Sequence, residues 1–442
     1  MWREYLNHEI GHRWMSTNFK GALLRYPSYS KINYLWGRAR LENIESELVK
    51  KGEKILHLNG GIEETLEDGK LIFAGPPEWI VKEVCEGLKT YRNYAKNQIE
   101  VKQLIAEWYR NEYNLEIDPS SEIALVPGAS FGVDSCVRII AGPGDEVLIM
   151  DPDYVTYRAQ VASIGAKPVP VPLKENNGEW EFNIEELEKR ISPMTKLLMM
   201  SNANNPSGFL YTKEDLQHIA ELAQRYDFMV LHDQVAEEFI LDSDEGYRLT
   251  CLASLQNMKE RTIVTSSFSK MYNIGFWRAG WVVANKHICE MVLRVMWWVT
   301  DGPVTPGIDA ALAILKNRKE RKKYVSKKLA TLKRNRDYMK KRLGEMGGVV
   351  PNTPRGHYWA WPNVSAFGMT SQELAEYLLK EWKLSVRPGT WYGANGEGHF
   401  RLSFYIPLDY MEKALDRMKE GLGKLLDEPI TKIPKRDKVP EG

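Results

Sequence analysis

The sequence predicts an α/β protein, a large domain with a mostly parallel sheet flanked by helices and a smaller α+β domain beside it. Three observations carry this reading. From about 120 to 285 short apolar runs alternate with helical patterns, as in folds where each strand is followed by a covering helix. The runs are nearly all apolar rather than alternating, which fits strands buried on both faces. Near 316 the texture changes, and at 442 residues the chain is longer than one core ordinarily supports.

The strand candidates, in order, are EVLIM (146–150), KLLMM (196–200), FMVLH (228–232), TIVTS (262–266) and GWVVA (280–284). Between the second and third, TKEDLQHIAELAQRY (212–226) repeats apolar residues at helical spacing and opens with Thr212 as N-cap. The segment from Lys316 is rich in Lys and Arg, with Val325, Leu329, Leu332, Met339 and Leu343 at helical intervals. A nucleic-acid-binding helix is one reading, but no aromatic or Gly-rich module accompanies it, and a solvated basic face is expected instead. HYWAWPNV (357–364), LSVRPGT (384–390) and FRLSFY (400–405) read as strands of the smaller domain, and the tail from 431 is expected to be mobile.

Hydrophobic residues make up 43% and charged residues 27%, with a net charge of +1, so no global field draws the chain to nucleic acid or membrane. None of Cys85, Cys136, Cys251 and Cys289 forms a C-x-x-C pair, and a reduced, cytoplasmic setting is expected. No run approaches the roughly 18 apolar residues of a spanning helix, nor does the N-terminus carry an apolar core of signal-peptide length. HEIGH (8–12) fits the H-E-x-x-H zinc pattern, but Met15 and Asn18 stand where an extended zinc-protease motif continues with glycine and a third histidine. His8 and His12 are therefore read as helix-face residues of an N-terminal arm, and no metal site is expected.

SSFSKMYNIGFWRAGW (266–281) places Lys270 just past a strand end, with Ser267 and Ser269 before it and Arg278 eight residues later. Ligands of open α/β folds bind at the C-terminal edge of the sheet. Hydroxyls and a guanidinium suit a phosphate there. Lysine, phosphate ligands and a parallel sheet together suggest a pyridoxal phosphate Schiff base, although a lysine at a loop start reads equally, on its own, as a surface residue. Asp233 ends another strand, where a carboxylate pairs with a protonated pyridine nitrogen or merely caps a turn. NANNPSG (202–208) is a turn by composition, and PGASFGVD (127–134) opens a helix whose free N–H groups can hold a phosphate or simply link strand to helix. A planar guanidinium such as that of Arg401 in FRLSF binds a carboxylate through two parallel hydrogen bonds, and an ordinary strand arginine is the plain alternative.

Taken together and in this order, the motifs resemble the class I/II aminotransferases, the fold-type I pyridoxal phosphate enzymes, over nearly the whole chain after about residue 55. The resemblance implies a seven-stranded sheet, and a division into an arm with part of the small domain (1–55), a large cofactor domain (56–310), a C-terminal small domain (311–430) and the tail (431–442). It implies that Lys270 forms the Schiff base and shuttles the proton between the substrate Cα and the cofactor. Ser267, Ser269, Arg278 and the backbone amides of Ala129 and Ser130 would hold the phosphate. Asp233 would pair with the pyridine nitrogen, Asn205 would touch the ring hydroxyl and the substrate, and Tyr154 would stack on the ring. Arg401 would grip the substrate α-carboxylate, and Tyr94 would reach a phosphate in the neighbouring subunit of a homodimer.

Three departures stand out. Ala236 replaces the tyrosine that the family usually carries three residues after the pyridine aspartate, and this loses a donor to the ring hydroxyl. Gln98 lies near a glycine that the family often has, and the first fifty or so residues are longer than usual. FKGALLRYPSYSKINYLWGRARLE (19–42) is accordingly either a specificity segment that closes over the substrate or plain packing. The function expected is transamination between an L-amino acid and a 2-oxo acid. The second reading, for which Ala236 speaks, is elimination, oxidation or cyclisation of an amino acid on the same cofactor. A binding protein that kept the fold without catalysis is opposed by the intact Lys270, Asp233 and Arg401. No second arginine for a side-chain carboxylate is identified, which disfavours aspartate or glutamate as donor, and Trp297 and Trp298 are expected to be a buried core pair.

Overall fold

In the computed structural model, residues 33–427 are described, apart from 62, 69 and 90–93 and the side chains of 33–36 and 94. HEIGH, the arm through residue 32 and the tail lie outside the described residues.

The central sheet holds β1 (Ile123–Pro127), β2 (Glu146–Asp151), β3 (Lys167–Pro172), β4 (Thr195–Ser201), β5 (Met229–Asp233), β6 (Thr262–Ser267) and β7 (Ala279–Val283). Their order across the sheet is β1, β7, β6, β5, β4, β2, β3. Only β7 runs antiparallel to its neighbours. Each of the five apolar runs is a strand of this sheet, with ends within one residue of the run. Val147, Leu148, Ile149 and Met150 are wholly buried, as a sheet covered on both faces requires. β3 carries Pro168, Pro170 and Pro172, which hide it from a pattern search, and it is tolerated as a strand because it sits at the sheet edge.

The helices that matter below are α1 (Asn33–Lys50), α2 (Tyr94–Tyr113), α3 (Ala129–Ile140), α4 (Tyr157–Ser163), α5 (Lys213–Tyr226), α6 (Lys286–Thr300) and α7 (Arg318–Gly344). Thr212 caps α5 as expected, in a reciprocal box with Asp215. A second, antiparallel sheet holds β8 (Trp359–Ala360), β9 (Arg387–Pro388) and β10 (Phe400–Ser403), with β10 in the middle. Leu56–His57 pairs in parallel with Leu384–Ser385, so the chain that follows α1 is tied to the C-terminal region.

Two expectations need correction. The basic helix α7 does not keep all its charge in solvent. Lys328 reaches Glu63 and the Tyr405 hydroxyl, Arg336 pairs with Asp242 at 2.6 Å, and Arg321 pairs with Glu238 at 3.0 Å while lying 3.8 Å above the Trp108 ring. Acids from distant segments meet these cations, and sequence spacing along one helix does not show such partners. Trp297 and Trp298 are not a core pair: they are 60% and 76% exposed. The buried stripe of α6 runs through Ile288, Cys289, Val292 and Met296, and the two tryptophans fall just past it, off that face.

Candidate active site

The C-terminal ends of β1, β4, β5 and β6 and the N-terminal end of the reversed β7 meet along one edge of the sheet, facing β8 to β10. A cavity of about 430 Å³ opens between them. Its lining includes Ala129, Ser130, Tyr154, Asn205, Asp233, Ser267, Ser269, Lys270, Arg278 and Arg401, so ten of the expected site residues come together. Tyr94 opens α2, and its side chain lies outside the described residues.

Gly128 makes the turn from β1 into α3 at φ +84°. A side chain there would collide with the Arg278 guanidinium, so the glycine is what lets that arginine lie across the start of α3. Arg278 itself sits in the left-handed region at φ +60° and donates to the Gly275 carbonyl at 2.8 Å. Its charge, the Ser267 and Ser269 hydroxyls and the unpaired N–H groups at the first turn of α3 form a cradle for a dianion.

Lys270 projects from the loop after β6, with Nζ 3.5 Å from the Gly61 carbonyl. Its pKa is pushed down to about 8, first by burial and then by Arg401, Arg387 and Arg278, against the pull of Asp233. Such a lysine gives up its proton more readily than an ordinary one, so the neutral amine is easier to reach near physiological pH.

Asp233, at the end of β5, accepts from the Tyr157 hydroxyl at 2.7 Å and from the backbone of Val235 at 3.0 Å. Burial raises its pKa, while the Tyr157 and Val235 hydrogen bonds and Lys270 hold it down. Behind it, buried Asp153 takes the Ser201 hydroxyl, and that hydroxyl in turn receives the backbone N–H of Asn205 at 3.0 Å. Asn205 is thereby fixed with its side-chain oxygen 3.3 Å from Arg401. Ala236 lines the cavity beside Asp233, so the missing hydroxyl is missing at the site itself.

Arg401 is buried on β10, with its guanidinium 4.1 Å from the centre of the Trp359 ring and 5.0 Å from that of Tyr392. Its Nε has no hydrogen-bond partner, and burial is the main reason its pKa falls to about 10. A buried guanidinium with an unmet donor is a site for an anion.

Sequence reasoning missed Tyr157, Arg387, His357 and Trp359, all of which line the cavity. Tyr157 stands three residues past Tyr154, and the two rings meet edge to face at 5.5 Å. A helix start at that point would have flagged it. Arg387 lies in a strand that was recognised, but the register that turns it inward depends on its partner strand. No second arginine was identified from the sequence, and Arg387 opens on the same cavity as Arg401.

The class I and II aminotransferase family matches residues 66–418. The protein is a class I/II aminotransferase. This aminotransferase is 33% identical to an aromatic-amino-acid aminotransferase of Thermococcus litoralis over 78% of its own length and 88% of the relative's. It is 36% identical to an aspartate aminotransferase of Pyrococcus abyssi, covering 73% and 82% of the two chains. Among solved structures it resembles an alanine aminotransferase from Pyrococcus furiosus, with a TM-score of 0.80 and 27% identity over 90% of this chain and all of that one. With relatives of this kind, the second reading of elimination, oxidation or cyclisation, for which Ala236 spoke, is not favoured. Among the described residues no helix is long and apolar enough to cross a membrane.

Proposed function

We propose that this enzyme binds pyridoxal 5′-phosphate in the cavity and uses Lys270 to move an amino group from an L-amino acid to a 2-oxo acid. The observation that carries the reading is the convergence of a buried lysine of depressed pKa, a strand-end aspartate and an anion cradle in one cavity. The residues fit the group by charge: the cradle of Arg278, Ser267, Ser269 and the amides of Ala129 and Ser130 suits its phosphate, and Asp233 suits its ring nitrogen. Tyr154 presents an aromatic face to the same space, and Asn205 a side-chain amide.

The cofactor, when bound, supplies the electron sink that makes the Cα–H of an amino acid acidic. Asp233 would pair with the ring nitrogen, and Tyr157, which donates to it, would orient that carboxylate. Lys270 Nζ would be the base that removes and returns the Cα proton of the substrate. Arg401, braced by Asn205 and Trp359, would take the α-carboxylate and so orient the substrate.

The same reading includes a homodimer, with Tyr94 serving the neighbouring site. Exposed Trp297, Trp298 and Val299 on α6, and exposed Phe276 at the cavity, support it as apolar surface. It also includes the four-part division at 55, 310 and 430 and a cytoplasmic location.

The test is an ultraviolet-visible spectrum of the purified protein during addition of single amino acids without any 2-oxo acid. Stoichiometric bleaching of the cofactor band by a donor, absent in Lys270→Ala, is the expected result. A protein that shows no such band even with added cofactor, or a Lys270→Ala variant at wild-type rate, overturns the proposal.

A further inference from the structure

His357 lines the cavity from a backbone conformation that glycine adopts more readily. Its φ is +63°, in the left-handed region, which is costly for a residue with a side chain and persists only where the surroundings enforce it. Here they do. The His357 N–H donates to the Phe239 carbonyl at 3.1 Å, and the Gly356 N–H before it donates to the Gly208 carbonyl at 3.0 Å. A glycine at 357 would follow the same path without strain, so the imidazole is kept against a backbone cost. Its ring centre lies 4.5 Å from that of Trp359, and the Arg401 guanidinium lies 4.1 Å from the same indole. His357 and Arg401 thus share one aromatic support on the wall of the cavity.

The hydrogen-bonding capacity of the imidazole is only half used. Burial, followed by Arg401 and Lys270, pushes its pKa down to about 3, so the ring is neutral and carries one N–H and one lone pair. Its polar contact is the Ala203 carbonyl, which can only accept and so takes the N–H. Nδ1 is buried with no hydrogen-bond partner, and the lone pair of the ring meets no donor among the described residues. Such an acceptor is costly to leave unmet, and on a cavity wall a ligand can supply the donor. A cationic donor is opposed by charge, because Lys270, Arg278, Arg387 and Arg401 line the cavity against the single carboxylate of Asp233. In the aminotransferase reading proposed above, on which this inference rests, the substrate amine is committed to the cofactor and the α-carboxylate has no proton to give. The side chain remains.

We infer that His357 is a substrate-binding residue whose imidazole lone pair accepts a hydrogen bond from an uncharged O–H or N–H on the substrate side chain. The enzyme then prefers amino acids with such a donor over partners of like shape that lack it. An amino acid without the donor displaces water from the imidazole and returns nothing, which is the basis of discrimination.

The test uses the holoenzyme and its His357→Gly and His357→Asn variants. Glycine removes the acceptor and is at ease in the left-handed backbone, while asparagine tolerates that backbone and returns a carbonyl acceptor. Steady-state kcat/KM is measured for amino acids paired to differ in the donor: serine against 2-aminobutyrate, homoserine against norvaline, and tyrosine against phenylalanine. In the wild-type enzyme at least one pair is expected to favour the member with the donor on the order of 10-fold. His357→Gly should bring that ratio to within about twofold of unity, and His357→Asn should restore part of it. A purely structural histidine would change both members of a pair alike and leave the ratio where it was. Turnover without a preference in any pair, or with a preference that survives His357→Gly, overturns the inference and leaves the aminotransferase reading standing. If the holoenzyme turns over no amino acid at all, that reading fails and the inference falls with it.

Discussion

The two walls of the cavity are built on different terms. On the wall formed by the central sheet, polar groups come with partners: Asp233 with Tyr157, Asn205 with Ser201, and Arg278 with the Gly275 carbonyl. On the wall formed by the small sheet, Arg401 keeps an unmet Nε and Arg387 faces it without a counter-charge. The first wall is organised to hold one permanent group in one orientation. The second is left with cationic charge that no carboxylate meets among the described residues. In the proposed reading the difference would let one cavity serve a resident cofactor and a transient substrate, with preorganised hydrogen bonds for the one and unspent charge for the other.

The comparison is broken most directly on the substrate wall. Arg401→Ala is expected to raise the KM for amino acids on the order of 100-fold, the scale of removing one partner of a desolvated charge pair, with cofactor content unchanged. A variant that loses cofactor along with substrate affinity would show that the two walls are not separate, and titration of bound cofactor beside initial rates checks this.

Lys270 stands between the walls and gives the next largest effect. Its folded pKa, about 8, lies below the ordinary lysine value of 10.5. In cofactor-free protein the unfolded chain therefore binds more protons between these values, so stability should rise as pH rises from about 8 to 10.5. Cofactor-free Lys270→Met should melt higher than wild type at pH 7, with the gap closing towards pH 10. Thermal melts across that range test it, and a gap independent of pH would mean the lysine is not held at a cost.

The smallest effect belongs to the cofactor wall. Tyr157→Phe removes one hydrogen bond to Asp233, about 1 kcal/mol and roughly fivefold in rate. That bond holds the Asp233 pKa down, so its loss raises the pKa further, and the acid limb of the pH profile should move to higher pH. A profile that keeps its acid limb while the rate falls would assign Tyr157 to packing alone.

Much of the cofactor wall was legible because its residues are encoded locally. Ser267 ends β6, Ser269, Lys270 and Arg278 follow in the segment before β7, and Asp233 closes another apolar run. The glycine turn before Ala129 is equally local. The strands β1 and β3 were less visible, one without a remarked run and the other punctuated by prolines that only its edge position permits. On the substrate wall Arg401 was recognised by its motif, whereas Arg387 looked like any strand arginine. The buried acids opposite α7 and the exposure of Trp297 and Trp298 were hidden for the same reason, since each depends on which distant surface arrives.

By itself, then, the sequence determined the α/β alternation, the buried parallel strands and the chemical groups at their ends, because apolar runs, caps and turns act over a few residues and carry their physics with them. The tertiary structure alone decided that Arg387 stands opposite Arg401, that Tyr157 finds Asp233 and that Lys328 finds Glu63. These pairings depend on strand register and on packing between segments far apart in the chain, and a shift of one residue in register would turn Arg387 to the other face of its sheet.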